Sequence, residues 1–277
     1  MINRQVGFIG GGNMARAIAG GLLRGGMHAT RLCVSEPLDS QQERLRRELY
    51  GVQITSDNTV AARQSDVLLF AVKPQILESV CGEVADAVQT SKPLIVSIAA
   101  GARIGDIERW LGGNLSIVRV MPNQPALIDM GIAALFANER TGAEARSLAE
   151  AILSAVGHVV WVESEEDMDA VTALSGTGPA YFYLLIDVMI RCAVDYGLDE
   201  PTARALAVET ARGASALAAA ETESMSAMID RVRSPGGTTQ AAFEFLDARD
   251  VRGIFSRAIE AARQRAVELS RPSDDHS

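Results

Sequence analysis

The chain has 277 residues, of which 48% are hydrophobic, enough for a sizeable core and at the length where one domain usually becomes two. Its formal charge of -9 excludes a nucleic-acid binder that works through a basic surface, because a phosphate backbone rewards positive charge. Cys33, Cys81 and Cys192 are odd in number and far apart, which speaks against a disulfide framework or a zinc site and fits a reducing cytosol.

The first residues lack a charged stretch, an apolar core and a cleavage site, and a folding signal begins at Gln5. Short apolar runs then alternate with helical patterns, the mark of a parallel sheet with crossover helices. Strands are expected at 6–9, 32–35, 67–71, 94–97, 116–120, 132–136 and 158–162, with helices at 14–24, 40–48, 76–87, 104–110 and 143–155. After Glu163 strand signals stop, and helices follow with breaks near Gly197–Leu198, Glu221–Ser224 and Ser234–Thr239. The economical reading is α/β: a dinucleotide-type domain at 1–163, a helical domain at 164–272 and a disordered tail at 273–277. Helices at 179–196 and 201–220 carry more alanine and apolar residues than one buried face needs, which points to homo-oligomerisation. The most apolar stretch, 181–190, is too short for a membrane span and contains Asp187. A soluble, unexported, cytoplasmic protein is expected.

Gly10-Gly11-Gly12-Asn13-Met14-Ala15 lies between the first strand and the first helix and matches the G-x-G-x-x-G/A dinucleotide fingerprint. Gly10 permits a tight turn, Gly12 admits a pyrophosphate beside the helix N-terminus, and Ala15 keeps helix and sheet close. The adenosine ribose belongs at the end of the second strand, Ser35-Glu36-Pro37. Glu36 suits a free 2′-hydroxyl, whereas Ser35 suits a 2′-phosphate. The residues leave NADH against NADPH open; if Glu36 reads the ribose, Glu36→Ala raises relative use of NADPH. Asn58 reads equally as a ribose neighbour or a helix cap. Ala71-Val72-Lys73-Pro74 ends another strand at the edge where open α/β sheets bind ligands. The glycines of Ser234-Pro235-Gly236-Gly237-Thr238-Thr239 open a helix for which Ser234 is the candidate N-cap. Bare N–H groups there suit a carboxylate. His28, His158 and His276 fall outside every motif, and no metal is expected.

Taken with Met121-Pro122-Asn123 and Ser175-Gly176-Thr177-Gly178-Pro179-Ala180-Tyr181, these motifs make the chain similar to the pyrroline-5-carboxylate reductases, in order from about residue 5 to residue 270. The resemblance implies a Rossmann-type doubly wound sheet, a helical dimerisation domain and assembly of dimers into larger rings. It also implies reduction of L-1-pyrroline-5-carboxylate to L-proline by NADPH or NADH, the last step of proline biosynthesis. By the same resemblance Ala71 to Pro74 and Met121 to Asn123 serve the coenzyme. Ser175 to Gly178, Ser234 and Gly236 to Thr239 serve the substrate, with Thr239 as hydrogen-bond partner or proton donor at the ring nitrogen; Glu221 or Glu223 either faces that nitrogen across a dimer or is an exposed acid at a helix end. Thr177 stands where the family more commonly carries serine, so the hydroxyl is kept.

A protonated cyclic imine is already a strong electrophile, so no histidine or lysine acid is needed. A β-hydroxyacid dehydrogenase of the 6-phosphogluconate type needs a lysine in its helical domain, and Lys73 and Lys92 are the only lysines. A nucleotide sensor without chemistry would show a damaged 234–239 loop. An F420-dependent NADP reductase shares only the opening fingerprint.

Overall fold

The structure, a computed structural model, describes residues 2–270; the tail expected at 273–277 lies outside them. Its first part alternates β1 (Val6–Ile9), α1 (Asn13–Arg24), β2 (Leu32–Ser35), α2 (Asp39–Glu48), β3 (Gln53–Thr55), α3 (Asn58–Gln64) and β4 (Val67–Phe70). There follow α4 (Pro74–Ser91), β5 (Leu94–Ser97), α5 (Ile104–Trp110), β6 (Ile117–Met121), β7 (Gly131–Ala137), α6 (Ala143–Leu153) and β8 (Gly157–Trp161). All eight strands form one sheet in the order β3-β2-β1-β4-β5-β6-β7-β8. Strands β1 to β6 are parallel, but β7 runs antiparallel to β6. Only a 3-10 turn, Gln124–Ile128, joins that pair, and so short a link cannot make the crossover a parallel neighbour requires.

Strands β1, β2, β4 and β5 are buried along their whole length, which explains why they read as continuous apolar runs. Successive residues feed opposite faces. Phe8, Val67 and Leu69 join the core under α1 and α6, while Ile9, Leu68 and Phe70 join the core under α4 and α5. Because β1 lies between β2 and β4, the chain departs to opposite sides there, and the crevice at the carboxyl ends of β1 and β4 is where such sheets take ligands.

The helical part comprises α7 (Asp167–Val171), a π-helical turn at Thr172–Gly176, α8 (Gly178–Asp195), α9 (Glu200–Ala220), α10 (Met225–Val232), α11 (Thr238–Asp247) and α12 (Val251–Ser270). One compact unit contains Met1–Gly176 and the chain from Ala262 onward; the other is Thr177–Ala261. The change from strands to helices at 163–164 is therefore not where the units divide. Within the first unit the end of α12 is tied down, Arg103 Nε donating to the Ser270 carbonyl at 3.2 Å.

The second unit has little core of its own. Of α8 only Gly178 is buried, and of α9 only Ala203 and Ala207. Phe182, Tyr183, Leu184, Leu185, Val188 and Met189 are all exposed. The helical run Asp167–Asp195 is long and apolar enough to cross a membrane by length and composition. The run is longer than the 181–190 stretch because the π-helical turn carries the helix further upstream.

Candidate active site

Ile9 ends β1 beside Phe70 of β4, and the chain must then turn at once into α1. Gly10 makes the turn with φ 96° and donates its N–H to the Ser35 carbonyl at 2.8 Å. A Cβ on Gly10 would lie 2.7 Å from the Ala71 carbonyl oxygen and 3.0 Å from Val72 Cγ1. The first glycine of the fingerprint is thus a steric necessity, and it draws Ala71 and Val72 against the turn. Gly12 differs: it caps α1 in extended conformation with no side-chain hydrogen bond, and a Cβ there would meet no protein atom within 4 Å. Nothing in the fold requires a glycine at that position, whereas a pyrophosphate on the free N–H groups of a helix N-terminus does. Asn13 accepts from Arg16 at 2.9 Å, Met14 is half-buried, and Ala15 is buried against the sheet. The residues present fit a dinucleotide.

At the ribose corner the structure redistributes the roles read from sequence. Glu36 is 8% exposed; its Oε2 accepts from Gly11 N at 3.0 Å and its Oε1 from Leu38 N at 3.1 Å. The carboxylate therefore clasps the glycine turn to the end of β2. Ser35 is fully buried and donates its hydroxyl to Asn58 Oδ1 at 2.8 Å. Its hydroxyl proton is therefore engaged inside the fold. Asn58 passes the chain on to Glu83 at 2.9 Å, and the cap of α3 is Asp57, which accepts from Thr59 N at 2.8 Å. Lys73 is the N-cap of α4, with Pro74 in its first turn.

A second meeting point forms where β6 ends. Asn123 donates Nδ2 to the Ser175 carbonyl at 3.4 Å and accepts from Ile132 N at 3.0 Å. Pro122 between them is buried, and a Cβ on Gly176 would collide with Met121 Cε. Two motifs more than fifty residues apart are thereby joined. The segment at Ser175 is a π-helical turn within one helical run, and such bulges frequently mark functional sites. Thr177 continues it in right-handed helical conformation, and Gly178 opens α8.

Sequence reading missed the charges beneath this junction. Arg119 of β6, 3% exposed, donates to Glu165 Oε1 at 3.0 Å and lies 4.0 Å from Asp169. An arginine inside the apolar strand Ile117–Met121 is the signal the sequence offers.

In the second unit, Ser234-Pro235-Gly236-Gly237 forms a turn closed by Gly237 N donating to the Ser234 carbonyl at 3.0 Å. Proline followed by a glycine at φ 69° is the pattern of a type II turn. The N-cap of α11 is Gly237, not Ser234, and no side chain caps it. Gln240 instead reaches back to Gly236 N at 2.8 Å. Thr238 is exposed and Thr239 half-buried in the first turn. Glu221 and Glu223 both pair with Arg231, at 3.7 and 3.2 Å, so Glu221 is part of a surface ion cluster.

Burial pushes the Cys33 thiol up to about 11, and burial followed by the charge of Glu78 pushes Cys81 up to about 12. Neither is a thiolate nucleophile near neutral pH. Among the described residues no group of three or more His, Cys, Asp or Glu is placed to hold a metal. A cavity of about 560 Å³ lies beside Arg4, Leu22, Met27 and Glu144, next to the start of β1 rather than its carboxyl end.

A family profile for pyrroline-5-carboxylate reductase dimerisation matches residues 165–269, and one for NADP oxidoreductase, coenzyme F420-dependent, matches residues 5–101. A pyrroline-5-carboxylate reductase of Pseudomonas aeruginosa is 38% identical, with 98% of each chain covered. Solved structures agree. The pyrroline-5-carboxylate reductase of Coxiella burnetii superposes with a TM-score of 0.91 at 39% identity, covering 98% of this chain and 100% of that one. The pyrroline carboxylate reductase of Plasmodium falciparum, with NADP bound, gives 0.88 at 29% identity, covering 98% and 100%. Likeness over the whole length, spanning both the glycine turn and the 234–239 loop, establishes that the chain belongs to the pyrroline-5-carboxylate reductase family.

Proposed function

We propose that this chain carries out its family's reaction, reduction of L-1-pyrroline-5-carboxylate to L-proline. The observation that carries this reading is that α1 and α11 both open on a glycine N-cap with no side-chain hydrogen bond. Each leaves backbone N–H groups for an anion: a pyrophosphate at Gly12, the substrate carboxylate at Gly237. NADPH or NADH, when bound, supplies the hydride. The Gly10–Ala15 turn, the Ala71–Pro74 edge and Met121–Asn123 hold the coenzyme, while Ser175–Gly178 line the substrate side of the site beyond the end of β6. Thr239 hydrogen-bonds the ring nitrogen, whose positive charge is neutralised as hydride reaches the neighbouring carbon. The secondary amine then takes a proton from water. Holding two reactants in line accounts for most of the acceleration, so no strong acid is needed.

The exposed apolar residues of α8 belong to the region matching the dimerisation family and face a second copy of the chain rather than lipid. Asp187, paired with Arg191 at 2.9 Å on that helix, supports this, because a charged pair is costly in a bilayer. Dimers assemble further into a higher oligomer, and the protein works in the cytoplasm, as its three free cysteines suit.

The test supplies racemic pyrroline-5-carboxylate with NADPH or NADH and follows absorbance at 340 nm together with proline. Proline formed in step with coenzyme oxidation supports the reading; folded protein that binds coenzyme yet forms no proline refutes it. Thr239→Val removes one hydrogen bond to a charged group and so lowers kcat/KM for the imino acid about tenfold to a hundredfold, leaving the coenzyme KM unchanged.

A further inference from the structure

The buried ionic group below β6 has no part in the reaction as written above, yet it is costly to maintain. Arg119 and Asp169 are 3% and 4% exposed. One guanidinium faces two carboxylates, and among the described residues Asp169 Oδ1 has no hydrogen-bond partner. Replacing such a group with apolar residues of similar volume is often neutral or stabilising. Stability alone therefore does not account for it.

What the group does is hold one segment from several sides. Glu165 Oε1 accepts from Arg119 of β6 and also from Ile104 N, the first amide of α5, at 2.8 Å. Asp169 Oδ2 accepts from Ser270 at the end of α12 at 3.4 Å. Glu165 lies two residues before α7, Asp169 lies within it, and α7 runs directly into the π-helical turn that ends at Gly176. Two residues along β6 from Arg119, Met121 projects from the same face, and its side chain lies against Gly176. One strand face thus grips the run at its charged start and again at its end.

We propose that Arg119 is a positioning residue. Through Glu165 and Asp169 it fixes α7, and so sets where Ser175 and Gly176 stand relative to Met121 and Asn123. This rests on the proposed role of Ser175–Gly176 in the substrate site.

Three variants of the full-length protein test it. Arg119→Met keeps length without charge; it raises KM for pyrroline-5-carboxylate at least fivefold and leaves the coenzyme KM within twofold. The triple variant Arg119→Met, Glu165→Gln, Asp169→Asn removes every charge of the group. It recovers melting temperature relative to Arg119→Met but keeps the raised KM, a separation that a purely structural role would not produce. Recovery of KM together with melting temperature overturns the proposal. Gly176→Ala, which drives the turn against Met121 directly, raises the same KM. If Gly176→Ala raises it and a folded Arg119→Met or triple variant does not, positioning by Arg119 is wrong while the substrate reading stands. If neither Gly176→Ala nor the charge variants move it, the role of Ser175–Gly176 falls, and the proposal with it.

Discussion

Gly10 and Gly12 stand two residues apart in one turn under opposite demands. Gly10 is required by the fold, with positive φ and a carbonyl where its Cβ would be; Gly12 has ordinary φ and open space. Gly12→Ala therefore leaves stability within about 1 kcal/mol, while KM for the coenzyme rises roughly tenfold, equivalent to ~1.4 kcal/mol of lost binding. Thermal melting and initial rates on one preparation check both halves, and a fall in melting temperature that accounts for the lost activity would refute the assignment. Glu36 is judged differently now that its carboxylate is seen to hold Gly11 and Leu38. Hydrogen bonds to charged groups contribute ~1.5–3 kcal/mol, so Glu36→Ala raises KM for NADPH and NADH alike by about tenfold. Any shift toward NADPH is smaller than this common loss, and steady-state kinetics showing a change in the ratio alone would dismiss the clasp. Residue type at the end of β2 was readable from sequence, but the direction of each side chain was not. Ser35 ends β2 and Glu36 follows it, so the two neighbours point apart, one into the fold and the other toward the turn.

At the scale of elements, apolar patterning located seven of the eight strands, because central strands are buried on both faces. The exception, β3, has three residues, Gln53, Ile54 and Thr55, none fully buried; an edge strand this short and polar leaves no pattern. The seven-residue α3 was equally silent apart from Asp57 and Asn58 at its start. The antiparallel turn of β7 was hidden because direction depends on the connection, not on the strand's own residues. The 234–239 loop was recognisable by its glycines, but its cap moved from Ser234 to Gly237 because Pro235–Gly236 forms a turn before the helix begins. Gly236 carries φ 69°, so Gly236→Ala costs ~1 kcal/mol of backbone strain. Its larger effect is a raised KM for the imino acid with an unchanged KM for coenzyme. Equal loss for both substrates would mean that the loop serves stability and not recognition.

The whole molecule is completed only by association. A unit whose two longest helices bury so few residues, with Phe182 to Met189 largely exposed, matches the family's dimerisation region and self-associates. Leu184→Arg places a charge on that surface, where leaving it buried and unpaired costs several kcal/mol. Light scattering coupled to gel filtration then shows a smaller species than the parent, and activity falls with it; an unchanged mass would place the interface elsewhere. That the helices carried excess apolar residues was plain from composition, whereas the division at Gly176 was not, because it depends on contacts between segments remote in sequence.

The return of α12 to the sheet-bearing unit has a topological consequence. The segment 177–261 is covalently an insertion, entered and left through the same body, with Ser270 tied to Arg103 and Asp169. A single protease nick within it leaves both fragments rooted in the Rossmann body, and two cuts are needed to excise it. Stopping the chain at Ala261 strips residues from the sheet-bearing unit, not from the helical one.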